Sequence, residues 1–188
     1  MKNHLLGSLL GALSLIGALL LIGAGAGPAR AQDPDFLSFG AGAFDFNDDG
    51  TAGVVSLEYL SAKRLLFLQP LAGFMVTFDG GVYGYAGLGL DVFFGRRIVA
   101  TPSFSFGFYG KGDGKDLGHV VEFRSAIQVA YRFDDRSRLG VLYHHLSNAG
   151  IDDTNPGANT LMLTYSRPLG GPSSRQARRA RRRSRARR

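Results

Sequence analysis

From residue 32 to residue 168, apolar and polar side chains follow each other with a period of two, in short runs separated by Gly, Asp and Pro clusters. No segment of useful length repeats at the helical period. The clearest run is VEFRSAIQVAYRF, in which Phe123, Ile127, Val129, Tyr131 and Phe133 share one face, with Ser125 as the one polar interruption. Glu122, Arg124, Gln128 and Arg132 share the other face. The pattern predicts eight strands, near Phe36 to Phe46, Gly53 to Ala62, Leu71 to Phe78, Gly81 to Phe93, Ile98 to Tyr109, Val120 to Phe133, Arg138 to Ser147 and Asn159 to Ser166. Between the second and third, SAKRLLFLQP could extend either neighbour, and Pro70 is expected to mark the turn rather than sit inside a strand.

Alternation alone fits two architectures. A soluble sandwich hides the apolar face, whereas a membrane barrel shows it to lipid and encloses the polar one. Two further segments favour the barrel. SFSFGFYG sets Phe104, Phe106 and Phe108 against Ser103, Ser105, Gly107 and Tyr109. GVYGYAGLGLDV sets Val82, Ala86, Leu88, Leu90 and Val92 against Tyr83, Tyr85, Gly87, Gly89 and Asp91. Small and polar residues inside suit a narrow lumen. The chain has 27 Gly, 14 Phe and no Cys, so backbone pairing and packing must hold it without disulfides. These features predict an all-β fold, an eight-stranded antiparallel transmembrane β-barrel of the outer membrane. Long connections (NDDGTA, GKGDGKDLGH) alternate with short ones (GRR, DDRSR), with DGG as an exception, which places the connection after the seventh strand outside the cell.

The ends change the charge picture. Lys2 and His4, the apolar run Leu5 to Ile22 and the closing Ala29-Arg30-Ala31 read as a cleaved signal peptide over 1–31. An uncleaved membrane anchor is the competing reading. The barrel domain is then 32–168, and 169–188 is expected to be a disordered Arg-rich tail with nine Arg and no acid. The formal charge of +7 therefore misleads. Taking those nine and Lys2 and Arg30 from the 22 basic residues leaves 11 against 15 acidic ones, a balance of −4. The tail is read as solvated or skimming the lipid surface, with no nucleic-acid role.

One stretch carries chemistry. His145 and Ser147, two residues apart on a strand, share a face with Leu139, Val141 and Tyr143, and across the following loop Asn159 shares the corresponding face with Leu161, Leu163 and Tyr165. A base, a hydroxyl and an amide on one lipid-facing patch could take a serine proton and orient the ring. The same residues also suit interfacial polar positions and turn formers, Asn155-Pro156-Gly157 being a turn. His144 is expected to point inward, and His119 lies in a loop. Four His and no Cys, without ligand spacing, argue against a transition-metal site. Asp48, Asp49, Asp152 and Asp153 in outer loops could meet divalent cations, but solvated turn carboxylates are the simpler reading.

The run HLSNAG, followed by NPGAN and a final apolar strand LMLTYSRPL, resembles the PagL family of outer-membrane lipid A 3-O-deacylases. The resemblance is specific over about Tyr143 to Pro168. It implies that His145 is the catalytic base and Ser147 the nucleophile, with Asn148 and the backbone N–H of Gly150 stabilising the oxyanion. The family's third member is a Glu on the last strand, and Asn159 stands at that position here. An amide orients an imidazole but supplies no charge, and Asp152 or Asp153 could replace it only if the loop folded back. The resemblance implies an ester hydrolase of the outer membrane that needs no cofactor and acts on lipid A among the surrounding membrane lipids. The alternative is a catalytically inactive structural barrel, and a soluble periplasmic barrel is third. A homo-oligomer is left open, and the Arg tail departs from barrels that finish at an aromatic residue.

Overall fold

The computed structural model describes residues 34–170. The expected signal peptide and the Arg tail from 171 onward lie outside the described residues. Nine strands follow in order: β1 (Asp35–Phe44), β2 (Ala52–Leu60), β3 (Gln69–Thr77), β4 (Val82–Gly89), β5 (Val92–Phe94), β6 (Ile98–Gly110), β7 (Val121–Arg132), β8 (Arg138–Ser147) and β9 (Ala158–Leu169). Each pairs antiparallel with its neighbour, and β1 closes on β9 from Asp35↔Leu169 to Phe44↔Thr160. β4 and β5 are one stave. Gly89↔Ser103 and Val92↔Ala100 hold a single register on β6, and Leu90 N–H donates to the Pro102 carbonyl between them at 3.0 Å. The barrel therefore has eight staves, as the sequence predicts, with the fourth interrupted where β3 runs out opposite Gly89.

The faces are inverted relative to a soluble protein. Phe104, Phe106, Phe108, Val129, Leu139, Val141, Leu161 and Leu163 are exposed on the outside, whereas Arg124, Arg138, Glu122, His144 and Tyr83 are buried within. That arrangement is stable only where the outside meets lipid. Two ion pairs lie inside. Arg138 grips Asp91 at 3.0 and 2.7 Å and lies over the Phe36 ring, and Thr101 donates to the same carboxylate at 2.7 Å. Arg124 approaches Glu58 at 3.4 Å and stacks on Tyr85, whose hydroxyl donates to Glu58 at 3.0 Å. Between these groups a cavity of about 20 Å³, lined by Ser38, Ser56, Glu58, Tyr85, Gln128 and Thr164, has room for a single water. The lumen is filled rather than open.

Pro70 corrects the sequence reading: it lies within β3, and the turn is 61–68, closed by reciprocal bonds between Leu65 and Leu68. Toward β4, Pro70 faces Leu88, and the pairs flanking it carry the ladder bonds. Toward β2 its carbonyl accepts from Ser61 N–H at 2.8 Å, and the donor proline lacks is replaced by the Gln69 side chain, whose Nε2 donates to the Ser61 carbonyl at 3.3 Å.

Connections 45–51, 78–81, 111–120 and 148–157 share one end of the barrel, and 61–68, 95–97 and 133–137 share the other. At the first end Lys115 ties two loops together, bonding Asp45 at 2.6 Å and Asp48 at 3.0 Å. Those ion pairs hold the Lys115 pKa up despite the opposing effect of burial, and the bond from Lys115 holds Asp48 down. The Asp113 N–H donates to the Asp79 carbonyl at 2.9 Å, joining the 78–81 and 111–120 connections at the same end.

Candidate active site on the outer wall

β8 places Tyr143, His145 and Ser147 on the outer face and His144 and Leu146 inside. The register sets His145 directly opposite Asn159 on β9 and opposite Ser125 on β7, with Ser147 opposite Phe123. The polar interruption in the β7 stripe thus adjoins the imidazole. Oδ1 of Asn159 lies 2.8 Å from Nδ1 of His145 and accepts a second bond from the Tyr143 hydroxyl, also 2.8 Å. A carboxamide oxygen only accepts, so the contact requires the imidazole proton on Nδ1 and leaves Nε2 as a base. Ser147 is half-buried on the same face and its hydroxyl makes no hydrogen bond among the described residues.

Asn159 is held from the other side as well. Its Nδ2 donates to Oδ1 of Asn47 at 2.9 Å, and Phe46 N–H donates to its backbone carbonyl at 3.1 Å. The Phe46 ring meets Tyr143 edge-on, 6.4 Å between centroids. The β1–β2 connection therefore docks on the seam between β8 and β9.

The two expected oxyanion donors are occupied with one another. Asn148 is fully buried; its Nδ2 donates to the carbonyls of Leu117 (3.1 Å) and Thr154 (2.8 Å), and its Oδ1 accepts from Gly150 N–H at 2.9 Å. In this arrangement both residues staple the loop rather than face the outer patch. Asn155, to which the sequence reading gave only a turn, places Oδ1 on Asn148 N–H at 3.1 Å, and its Nδ2 has no hydrogen bond among the described residues. Asp152 and Asp153 are exposed, and Asp152 caps Thr154 N–H at 3.2 Å. Neither reaches back to His145.

Gly157 has a role the turn reading missed. At φ +66° it lies so close to the ring that a Cβ would stand 2.9 Å from His145 Cε1 and 3.0 Å from the Leu146 carbonyl. Only glycine fits both the left-handed backbone and the space, so the returning loop packs against the edge of the imidazole between its two nitrogens. The signal for it was the NPG triplet, whose glycine could not be placed against the ring from sequence. Tyr143 was visible on the face but carried no assigned role; Asn47 lay outside the motif altogether.

A family model described as Lipid A 3-O-deacylase (PagL) matches residues 17–168, most of the chain. The chain belongs to the PagL family. "Lipid A deacylase PagL" of Bordetella bronchiseptica is 32% identical over 71 residues, which cover 38% of this chain and 35% of that protein, so the matched stretch spans about a third of the curated relative. The crystal structure described as that of the outer membrane enzyme PagL shares the fold, with a TM-score of 0.55 at 22% identity over 71% of this chain and 99% of that one. Within the PagL frame, the contact between Asn159 and His145 occupies the place that the sequence resemblance gives to a glutamate.

Proposed function

We propose that this PagL-family barrel is an outer-membrane serine esterase that hydrolyses the ester-linked 3-hydroxyacyl chain at position 3 of lipid A. The observation that supports it is the Nδ1 to Oδ1 contact of His145 and Asn159 beside Ser147 on a lipid-facing wall. His145 Nε2 removes the Ser147 proton as Oγ attacks the ester carbonyl. The tetrahedral oxyanion then collapses, the sugar 3-oxygen leaves with the proton returned by His145, and an acyl-serine remains. Water, deprotonated by His145, attacks that ester. The 3-hydroxy fatty acid departs and Ser147 recovers its proton. His145, Ser147 and Asn159 are the catalytic set in this reading. Asn148 and Gly150 act by shaping the loop, and the Nδ2 of Asn155, one residue from Ser147 through its bond to Asn148 N–H, is the side-chain donor available to the oxyanion.

The outward position suits a substrate confined to the same leaflet, which reaches the wall laterally with its acyl chains already among the exposed apolar side chains. No step calls for a cofactor, since base, oxyanion donors and water suffice. The decisive experiment is mass spectrometry of lipid A from Gram-negative cells expressing wild type or Ser147→Ala: loss of one 3-hydroxyacyl mass with wild type alone is the expected result, and no change with an inserted wild-type barrel would overturn the reading. One observation favours a second reading, a barrel without enzymatic activity: no carboxylate contacts His145 among the described residues. Activity gained only on Asn159→Glu would identify it.

A further inference from the structure

The carboxamide of Asn159 joins three partners, and its two ends are chemically opposite. With Oδ1 toward the ring, Nδ2 donates to Asn47 and His145 carries its proton on Nδ1. Turned by 180°, the amide would donate to Nδ1, the imidazole proton would move to Nε2, and the ring would offer Ser147 a donor in place of a base. Tyr143 does not decide between them, because its hydroxyl, which donates to Oδ1 at 2.8 Å, could equally accept from an Nδ2 at that position. A glutamate at this position would have no such ambiguity, as both its oxygens accept. The choice therefore falls to the remaining partner.

We propose that Asn47 is a positioning residue that sets the His145 tautomer, accepting from Asn159 Nδ2 and so holding the Asn159 oxygen toward the imidazole. Only its catalytic consequence rests on the esterase reading. Asn47 is placed by its neighbours: Phe46 N–H bonds the Asn159 carbonyl, the Phe46 ring packs on Tyr143, and Asp45 is anchored by Lys115. Asn47 itself is exposed, so replacing it leaves the packed wall intact. Its carboxamide must present oxygen to Asn159 for the base form to persist, and an aspartate there could present nothing else. Asn47→Asp would also set a carboxylate behind Asn159, supplying through the amide part of the charge that the family's glutamate would supply directly.

The test uses the full chain, labelled with ¹⁵N-histidine and refolded in detergent micelles without substrate, with His145 assigned by its loss in His145→Gln. Wild type and Asn47→Asp should show the proton on Nδ1, whereas Asn47→Leu should show a substantial Nε2–H population. On lipid A in mixed micelles, Asn47→Leu should lower kcat by about tenfold or more with KM unmoved, and Asn47→Asp should raise kcat. In an Asn159→Glu background Asn47→Asp becomes the slowest of the three, since an aspartate at 47 then faces a carboxylate. A tautomer unchanged in Asn47→Leu, or the same ranking in both backgrounds, overturns the proposal. If the tautomer follows residue 47 while no variant hydrolyses lipid A, the positioning role stands and the esterase reading falls.

Discussion

The carboxamide oxygen of Asn159 lies 2.8 Å from Nδ1 of His145, across the seam between the last two strands of the barrel. On the proposed esterase reading, a carboxylate in its place would orient the ring and also balance the charge that the imidazolium would acquire as Ser147 attacked. The amide performs only the first task. Asn159→Glu is accordingly expected to raise kcat for lipid A deacylation by about tenfold or more, and Asn159→Leu to lower it below wild type. Initial rates on lipid A in mixed micelles compare the three. Equal rates for Glu, Asn and Leu would remove residue 159 from the mechanism.

Ser147→Ala should abolish deacylation while the barrel still forms. The hydroxyl makes no hydrogen bond among the described residues, so its loss leaves no partner unsatisfied. Heat-modifiable gel mobility reports the barrel and lipid A mass spectra report activity; loss of both together would make Ser147 a structural residue.

Gly157→Ala adds a methyl where the returning loop meets His145, at a left-handed backbone position. The conformation alone costs roughly 1 kcal/mol for a residue with a Cβ, and the contact displaces the ring. With His145 as the proposed base, the expected outcome is a folded barrel with kcat reduced at least about tenfold, since small misplacements of such a group are expensive. An unaffected kcat would show that the ring yields without consequence.

Arg138 and Asp91 are both almost wholly inside the lumen and bonded at two points. Arg138→Met would strand the Asp91 charge and should cost roughly 3–5 kcal/mol, while the double variant Arg138→Met with Asp91→Leu should recover much of that. Urea unfolding midpoints in micelles measure both. Equal losses in the single and double variants would mean that the pair is not what holds this end of the lumen.

The tie that Lys115 makes between two outer loops should depend on pH in a defined sense. Asp48 is held below its ordinary 3.8, so its contribution is present above that value and fades as the pH falls through the lowered one. Lys115 is held above 10.5, so its contribution is complete below that value and fades only as the pH rises past the raised one. Amide protection across 45–51, taken relative to intrinsic exchange at each pH, should be high at neutral pH and fall once the pH drops below 3.8 or in Lys115→Met. Indifference of these amides to either change would show that the loop is fixed by its backbone bonds alone.

Strand faces were legible because parity is all that separates lumen from lipid. Phe104, Phe106 and Phe108 point out, His144 points in, and His145 and Ser147 emerge together, as a two-residue period requires. Where the period stops, so does the reading. Pro70 was set in the turn because sequence does not show that the Gln69 side chain can serve the Ser61 carbonyl in its place. The donor's role of Asn148 came from the family resemblance alone, and sequence does not show that its side chain binds the Leu117 and Thr154 carbonyls. Asn47 carried no local signal at all, being 112 residues from Asn159 and brought there only by the way the ends of the sheet meet.

That meeting orders events in time. β1 and β9 zip together over ten residue pairs, and the loop leaving β1 carries Asn47 while β9 carries Asn159. A half-made sheet has the serine and the histidine on one strand but lacks the last clasp that aligns them. Hydrolysis by this wall would therefore begin only after the final strand has locked onto the first, which would make enzymatic turnover a report of completed assembly.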